Sequence, residues 1–112
     1  MKKIIFFLFS ISLLILLTAC SNQEPGLYDE FATCLTEQGV RMYGTEWCGA
    51  CATQKEIFGN SFRNVEYIDC ERNRDTCLRN GVRAYPTWLA QGVPYEGVQN
   101  IEQLAEISGC EL

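Results

Sequence analysis

The chain has no histidine. Imidazole acid–base chemistry is therefore excluded, and a zinc site would need cysteines and carboxylates alone. Basic residues are also scarce: nine Lys and Arg stand against fourteen Asp and Glu, a net charge of −5. Without a basic stripe nothing supports nucleic-acid binding, and acidity by itself names no partner. Internal repeats and low-complexity segments are missing too. The longest apolar stretch, Ile4 to Leu17, is shorter than the about 20 residues a spanning helix needs.

That stretch fits the h-region of an export signal instead. Lys2 and Lys3 supply the positive n-region, and only Ser10 and Ser12 interrupt the apolar run. Leu17-Thr18-Ala19-Cys20 closes it and resembles the bacterial lipobox, whose cysteine is diacylated and becomes the mature N-terminus. On that reading residues 1–19 are a lipoprotein signal peptide, and 20–26 are the lipidated Cys20 and a polar tether. Residues 27–112 then form one domain. The alternatives are an uncleaved anchor and a signal peptide cut elsewhere. The expected location is extracytoplasmic, on a bacterial membrane at the periplasmic side or the cell surface. Loss of residues 1–19 removes two bases and no acids, so the net charge moves from −5 to −7.

Seven cysteines in an exported chain leave one thiol over. Lipidation of Cys20 accounts for the odd one and leaves Cys34, Cys48, Cys51, Cys70, Cys77 and Cys110, enough for three bridges in an oxidising compartment. A domain this small gains from such staples. The sharpest local pattern is Trp47-Cys48-Gly49-Ala50-Cys51. Two thiols so spaced suit reversible disulfide chemistry, an inert staple or half of a zinc site. Zinc is the weakest of the three, because no second tight C-x-x-C pair accompanies it.

Apolar periodicity predicts a helix over Leu27–Gln38, with Leu27, Phe31, Cys34 and Leu35 at helical spacing and Gly39 as the stop. Val40–Tyr43 reads as a strand, Gly49–Phe58 as a helix stopped by Gly59-Asn60, and Val65–Asp69 as a second strand. A short helix follows over Asn73–Asn80. Strands at Thr87–Ala90 and Tyr95–Val98 flank Gln91-Gly92-Val93-Pro94 as a hairpin, and Ile101–Ser108 is the last helix before Gly109. This order predicts an α/β fold: a mixed sheet of about four strands with helices on both faces. The Cys motif falls at the C-terminal end of the first strand, where open α/β sheets place their sites.

Three segments resemble the thioredoxin superfamily: Tyr43-Gly44-Thr45-Glu46-Trp47-Cys48-Gly49-Ala50-Cys51, Val65-Glu66-Tyr67-Ile68-Asp69 and Gly81-Val82-Arg83-Ala84-Tyr85-Pro86-Thr87. Met42-Tyr43-Gly44, Gln54-Lys55-Glu56, Tyr85-Pro86-Thr87-Trp88 and Tyr95-Glu96-Gly97-Val98 are similar to the thioredoxin-like domain associated with bacterial homologues of vitamin K epoxide reductase. That group often carries Pro-His between its cysteines, where this chain has Gly-Ala. The resemblance implies a thioredoxin fold with an extra N-terminal helix. It makes Cys48 the attacking sulfur and Cys51 the resolving one, with no cofactor beyond them. It makes Pro86 a cis-proline, with Trp47 and Tyr85 beside it in substrate contact. The buried acid of ordinary thioredoxins falls at Met42, so proton transfer to Cys51 would use water or a carboxylate, with Glu46 and Glu66 as candidates.

Within that fold the other four cysteines pair as Cys34–Cys110 and Cys70–Cys77. The alternative makes Cys70–Cys77 a second redox pair. The expected function is a membrane-anchored thiol-disulfide oxidoreductase, a monomer that forms or relays protein disulfides. Its partners would be protein thiols or disulfides and a quinone-linked membrane enzyme like vitamin K epoxide reductase. A thioredoxin-like reductase, for repair or cytochrome c maturation, and a non-catalytic binding lipoprotein are the alternatives.

Overall fold

A computed structural model of the protein describes residues 24–112 together with Lys3. Cys20 and most of the expected signal peptide lie outside the described residues. The elements run α1 (Asp29–Glu37), β1 (Arg41–Gly44), α2 (Gly49–Phe58), a 3-10 segment (Gly59–Asn64), β2 (Glu66–Asp69), α3 (Arg74–Arg79), β3 (Thr87–Ala90), β4 (Val93–Glu96) and α4 (Ile101–Ser108). The strands lie in the order β2-β1-β3-β4. β1 and β2 are parallel, while β3 runs antiparallel to both β1 and β4. With α2 crossing between the parallel pair and the hairpin following, this is the thioredoxin fold, preceded by α1.

Strand alternation sorts the side chains into two cores. Met42 and Trp88 are register partners and both are fully buried. They join Ala90 in the larger core, with Phe31, Ala32 and Leu35 from α1, Cys51 and Phe58 from α2, and Ile101 and Leu104 from α4. Tyr43 turns the other way and packs with Cys70, Val82 and Cys77 of α3. Helices thus cover both faces of the sheet. Two disulfides tie the ends of these layers. Cys34–Cys110 (2.09 Å) links α1 to the residue beyond α4, and Cys70–Cys77 (2.09 Å) links the end of β2 to α3.

Several bounds shift by one residue, and two differences are larger: the start of the first helix and the position of β4, observed at Val93–Glu96 rather than Tyr95–Val98. The first helix starts at Asp29 rather than Leu27, because the preceding backbone is tied elsewhere: Gly26 N–H donates to Asp29 Oδ2 at 3.0 Å and Tyr28 N–H to Ser61 Oγ at 2.8 Å. Gly59 caps α2 as expected, and the 3-10 segment that follows carries Phe62 back against Phe58 (ring centroids 6.2 Å). The hairpin turn is only Gln91-Gly92, whose φ values of 52° and 78° suit a tight two-residue connection. Val93 and Pro94 therefore belong to β4 instead of the turn. β4 is an edge strand, where a proline costs little.

Candidate redox site

β1 ends at Gly44, and Thr45-Glu46-Trp47 carries the chain to α2. Cys48 is the N-cap of that helix, in extended conformation, and its Sγ accepts the backbone N–H of Cys51 at 3.2 Å. A sulfur there faces the unpaired amides of the first turn, where the helix dipole favours negative charge. Cys51, one turn in, is buried at 1 % exposure while Cys48 is half-buried. Among the described cysteines these two are the free thiols.

Gly44 makes room for the inner sulfur. A Cβ at that position would stand 2.7 Å from Cys51 Sγ and 3.3 Å from Cε2 of Tyr67. Burial pushes the Cys51 thiol up to about 11, helped by its hydrogen bond with Cys48 and opposed by the Thr45 backbone and the Lys55 charge. Lys55 lies one helical turn beyond Cys51. Its Nζ sits 4.3 Å from the centre of the Tyr67 ring and 3.5 Å from Glu46 Oε1. The Tyr67 hydroxyl is buried without a hydrogen-bond partner among the described residues. Burial raises its pKa, and the charges of Glu46 and Asp69 raise it further.

No protein-family model matches the chain. The chain is similar to a known thiol-disulfide oxidoreductase. That relative is thiol-disulfide oxidoreductase LTO1 of Arabidopsis thaliana, 29% identical over 87 residues. The match covers 70% of this chain but only 23% of the relative, so the chain spans about a quarter of that protein's length. Among solved structures, Fasciola hepatica thioredoxin is similar at a TM-score of 0.45 and 21% identity, over 64% of this chain and 79% of that one.

Two of the expected substrate-contact residues touch each other next to the Cys motif. Trp47 is 68% exposed and meets Tyr85 edge-on, with ring centroids 6.1 Å apart. Its indole N–H donates to Glu71 Oε1 at 2.6 Å, which fixes the ring despite its exposure. The Tyr85–Pro86 peptide bond is cis. Pro86 is buried, and its carbonyl accepts the Gly97 N–H at 2.8 Å. Met42 is fully buried in the larger core beside Cys51, so an apolar side chain fills that site.

Of the two carboxylates considered for proton transfer, only Glu46 stands at this end of the sheet. Glu66 pairs with Arg41 at 3.1 Å, and the register places both at the start of their strands, away from Gly44 and Asp69. The sequence reading quoted Gly44, Thr45, Lys55 and Tyr67 within the resembling segments but gave them no role at the site. Lys55 had a visible signal, since it follows Cys51 by four residues and so shares its helix face. Tyr67 had none, because its place depends on strand register.

Proposed function

We propose that this chain is a membrane-anchored, extracytoplasmic thiol-disulfide oxidoreductase that cycles the Cys48–Cys51 pair. The observation that carries the reading is the division among the described cysteines. Four are closed into the bridges Cys34–Cys110 and Cys70–Cys77, while Cys48 and Cys51 stand free at a helix N-terminus, one accessible and one buried. The likeness to a thiol-disulfide oxidoreductase supports the same chemistry.

In the reducing direction the Cys48 thiolate attacks a client disulfide, forming a Cys48–client bond and releasing one client thiolate. Cys51, losing its proton, attacks Cys48 Sγ and releases the second. The client gains two electrons and the protein is left with a Cys48–Cys51 disulfide. The oxidising direction runs these steps backwards, so a reoxidant is then required. The resemblance to domains associated with vitamin K epoxide reductase homologues supports a quinone-linked membrane enzyme in that role, and the lipobox-like Leu17-Thr18-Ala19-Cys20 supports a lipid anchor. Among the described residues no helix is long and apolar enough to cross a membrane.

The test is catalysis by the full chain in detergent micelles, both insulin reduction and oxidation of a reduced unfolded protein. Loss of both activities in Cys48→Ser supports the reading; a variant equal to the unmutated protein in both defeats it. The reduction potential sets the direction. A value near −120 mV marks an oxidant and one near −270 mV a reductant.

A further inference from the structure

A cleft of about 740 Å³ opens between α3 and the Trp47–Tyr85 contact, and Trp47, the residue before Cys48, forms part of its wall. Its floor is apolar: the Cys70–Cys77 bridge and Val82, with Leu78 exposed at the edge. Thr45 also lines it. This residue is 2% exposed, and its Oγ1 is buried with no hydrogen-bond partner among the described residues. A buried hydroxyl left unpaired costs free energy, and a ligand that reached it would remove that cost.

The charge of the cleft is opposite to that of the chain. Arg74 and Arg83 both line it, and neither belongs to an ion pair among the described residues. The single carboxylate in the lining, Glu71, is engaged by the Trp47 indole. Two free guanidinium groups thus face one occupied carboxylate, in a chain whose net charge is −5. At physiological salt, charges more than about 8 Å away are largely screened, so the groups that line the cleft weigh most on a bound segment.

We propose that this cleft receives the stretch of client polypeptide flanking the reacting cysteine, and that Arg74 and Arg83 select clients carrying a carboxylate there. An apolar client side chain lies over Val82 and the disulfide, and the carboxylate reaches the guanidinium groups. Bidentate pairing with arginine gives this contact direction as well as charge. Surface pairs of this kind are individually weak, so the selection is a preference rather than an absolute filter. The inference rests on the oxidoreductase reading above, and the experiment separates the two.

The full chain in detergent micelles, reduced beforehand, is mixed with two disulfide-bonded peptides. They differ only in whether Leu-Glu or Leu-Lys follows the cysteine. The uncharged 2-hydroxyethyl disulfide serves as control. Each reaction moves two electrons from Cys48 and Cys51 to the added disulfide, and single-turnover rates are read. The Glu peptide is expected to react about fivefold faster than the Lys peptide at low salt, with the ratio shrinking in 0.5 M salt. The double variant Arg74→Gln/Arg83→Gln brings the ratio to about one and leaves the control rate unchanged. Equal rates for the two peptides with the unmutated protein overturn the proposal, as does a ratio that survives in the double variant. Failure to react with any of the three disulfides defeats the oxidoreductase reading itself.

Discussion

Gly44 and Cys51 compete for one space: a Cβ added to the glycine would lie 2.7 Å from the cysteine sulfur, closer than real contacts allow. The end of β1 and the first turn of α2 are therefore fitted to each other at the redox pair. Gly44→Ala must displace the sulfur or the strand, at a cost of about 1–3 kcal/mol. Urea unfolding of the reduced protein reads the loss, and an unchanged midpoint would show that the site yields freely.

The raised Cys51 thiol gives a pH prediction. Its value in the folded protein, about 11, lies above the unfolded value of 9.0, so the folded state holds this proton more tightly. The resulting stability is fully present below pH 9 and is lost as pH rises through about 11. Reduced protein should therefore lose more unfolding free energy across that window than Cys51→Ala. Alkylation should follow the same window, with iodoacetamide reaching half-buried Cys48 first and Cys51 only as pH nears 11. Equal labelling at pH 8 would contradict this.

Gln54 is wholly buried and joins three groups. Its Oε1 accepts from Trp88 Nε1 at 2.9 Å and from the Gln99 N–H at 2.7 Å, while its Nε2 donates to the Gln99 carbonyl at 2.9 Å. Gln54→Leu leaves the buried Trp88 donor and the partly buried Gln99 N–H and carbonyl without partners, a loss of about 2–4 kcal/mol. Denaturant unfolding measures it. A loss below about 0.5 kcal/mol would mean that water replaces the amide.

The two bridges should differ in worth. Cys34–Cys110 spans a sequence separation of 76 and Cys70–Cys77 one of 7. By chain entropy they contribute about 4.5 and about 2.5 kcal/mol respectively. Paired Cys→Ser variants unfolded in urea test the order, and a larger loss from the short loop would reverse it.

Element order and the Cys motif were legible because local signals specify them. Gly49–Phe58, Thr87–Ala90 and Ile101–Ser108 were read with the observed bounds. Asn100 and Gln103 form a reciprocal capping box at the start of α4, and Gly109 closes the helix in the left-handed region. What was hidden depends on partners distant in sequence. Ser61 Oγ, 33 residues from Tyr28, holds the backbone before α1 out of the helix. Gln54 looks like a surface residue of α2 until Trp88 and Gln99 arrive from 34 and 45 residues away. Glu46 and Glu66 look equivalent until parallel register puts them at opposite ends of the sheet. The hairpin itself was legible, but its turn was read two residues too long for another reason: Pro94 is a turn residue by composition, yet on an edge strand its missing N–H goes unnoticed.

The Cys34–Cys110 bond encloses all four strands, α2, α3, α4 and both redox cysteines in one covalent ring. A protease that cuts any single peptide bond between those two residues leaves the fragments joined, and the sheet keeps both of its halves. Tension applied between the two ends of the described chain passes from α1 directly to Cys110, so β1 to β4 carry almost none of it. The thiol chemistry is thereby insulated from force on the segment that precedes the domain.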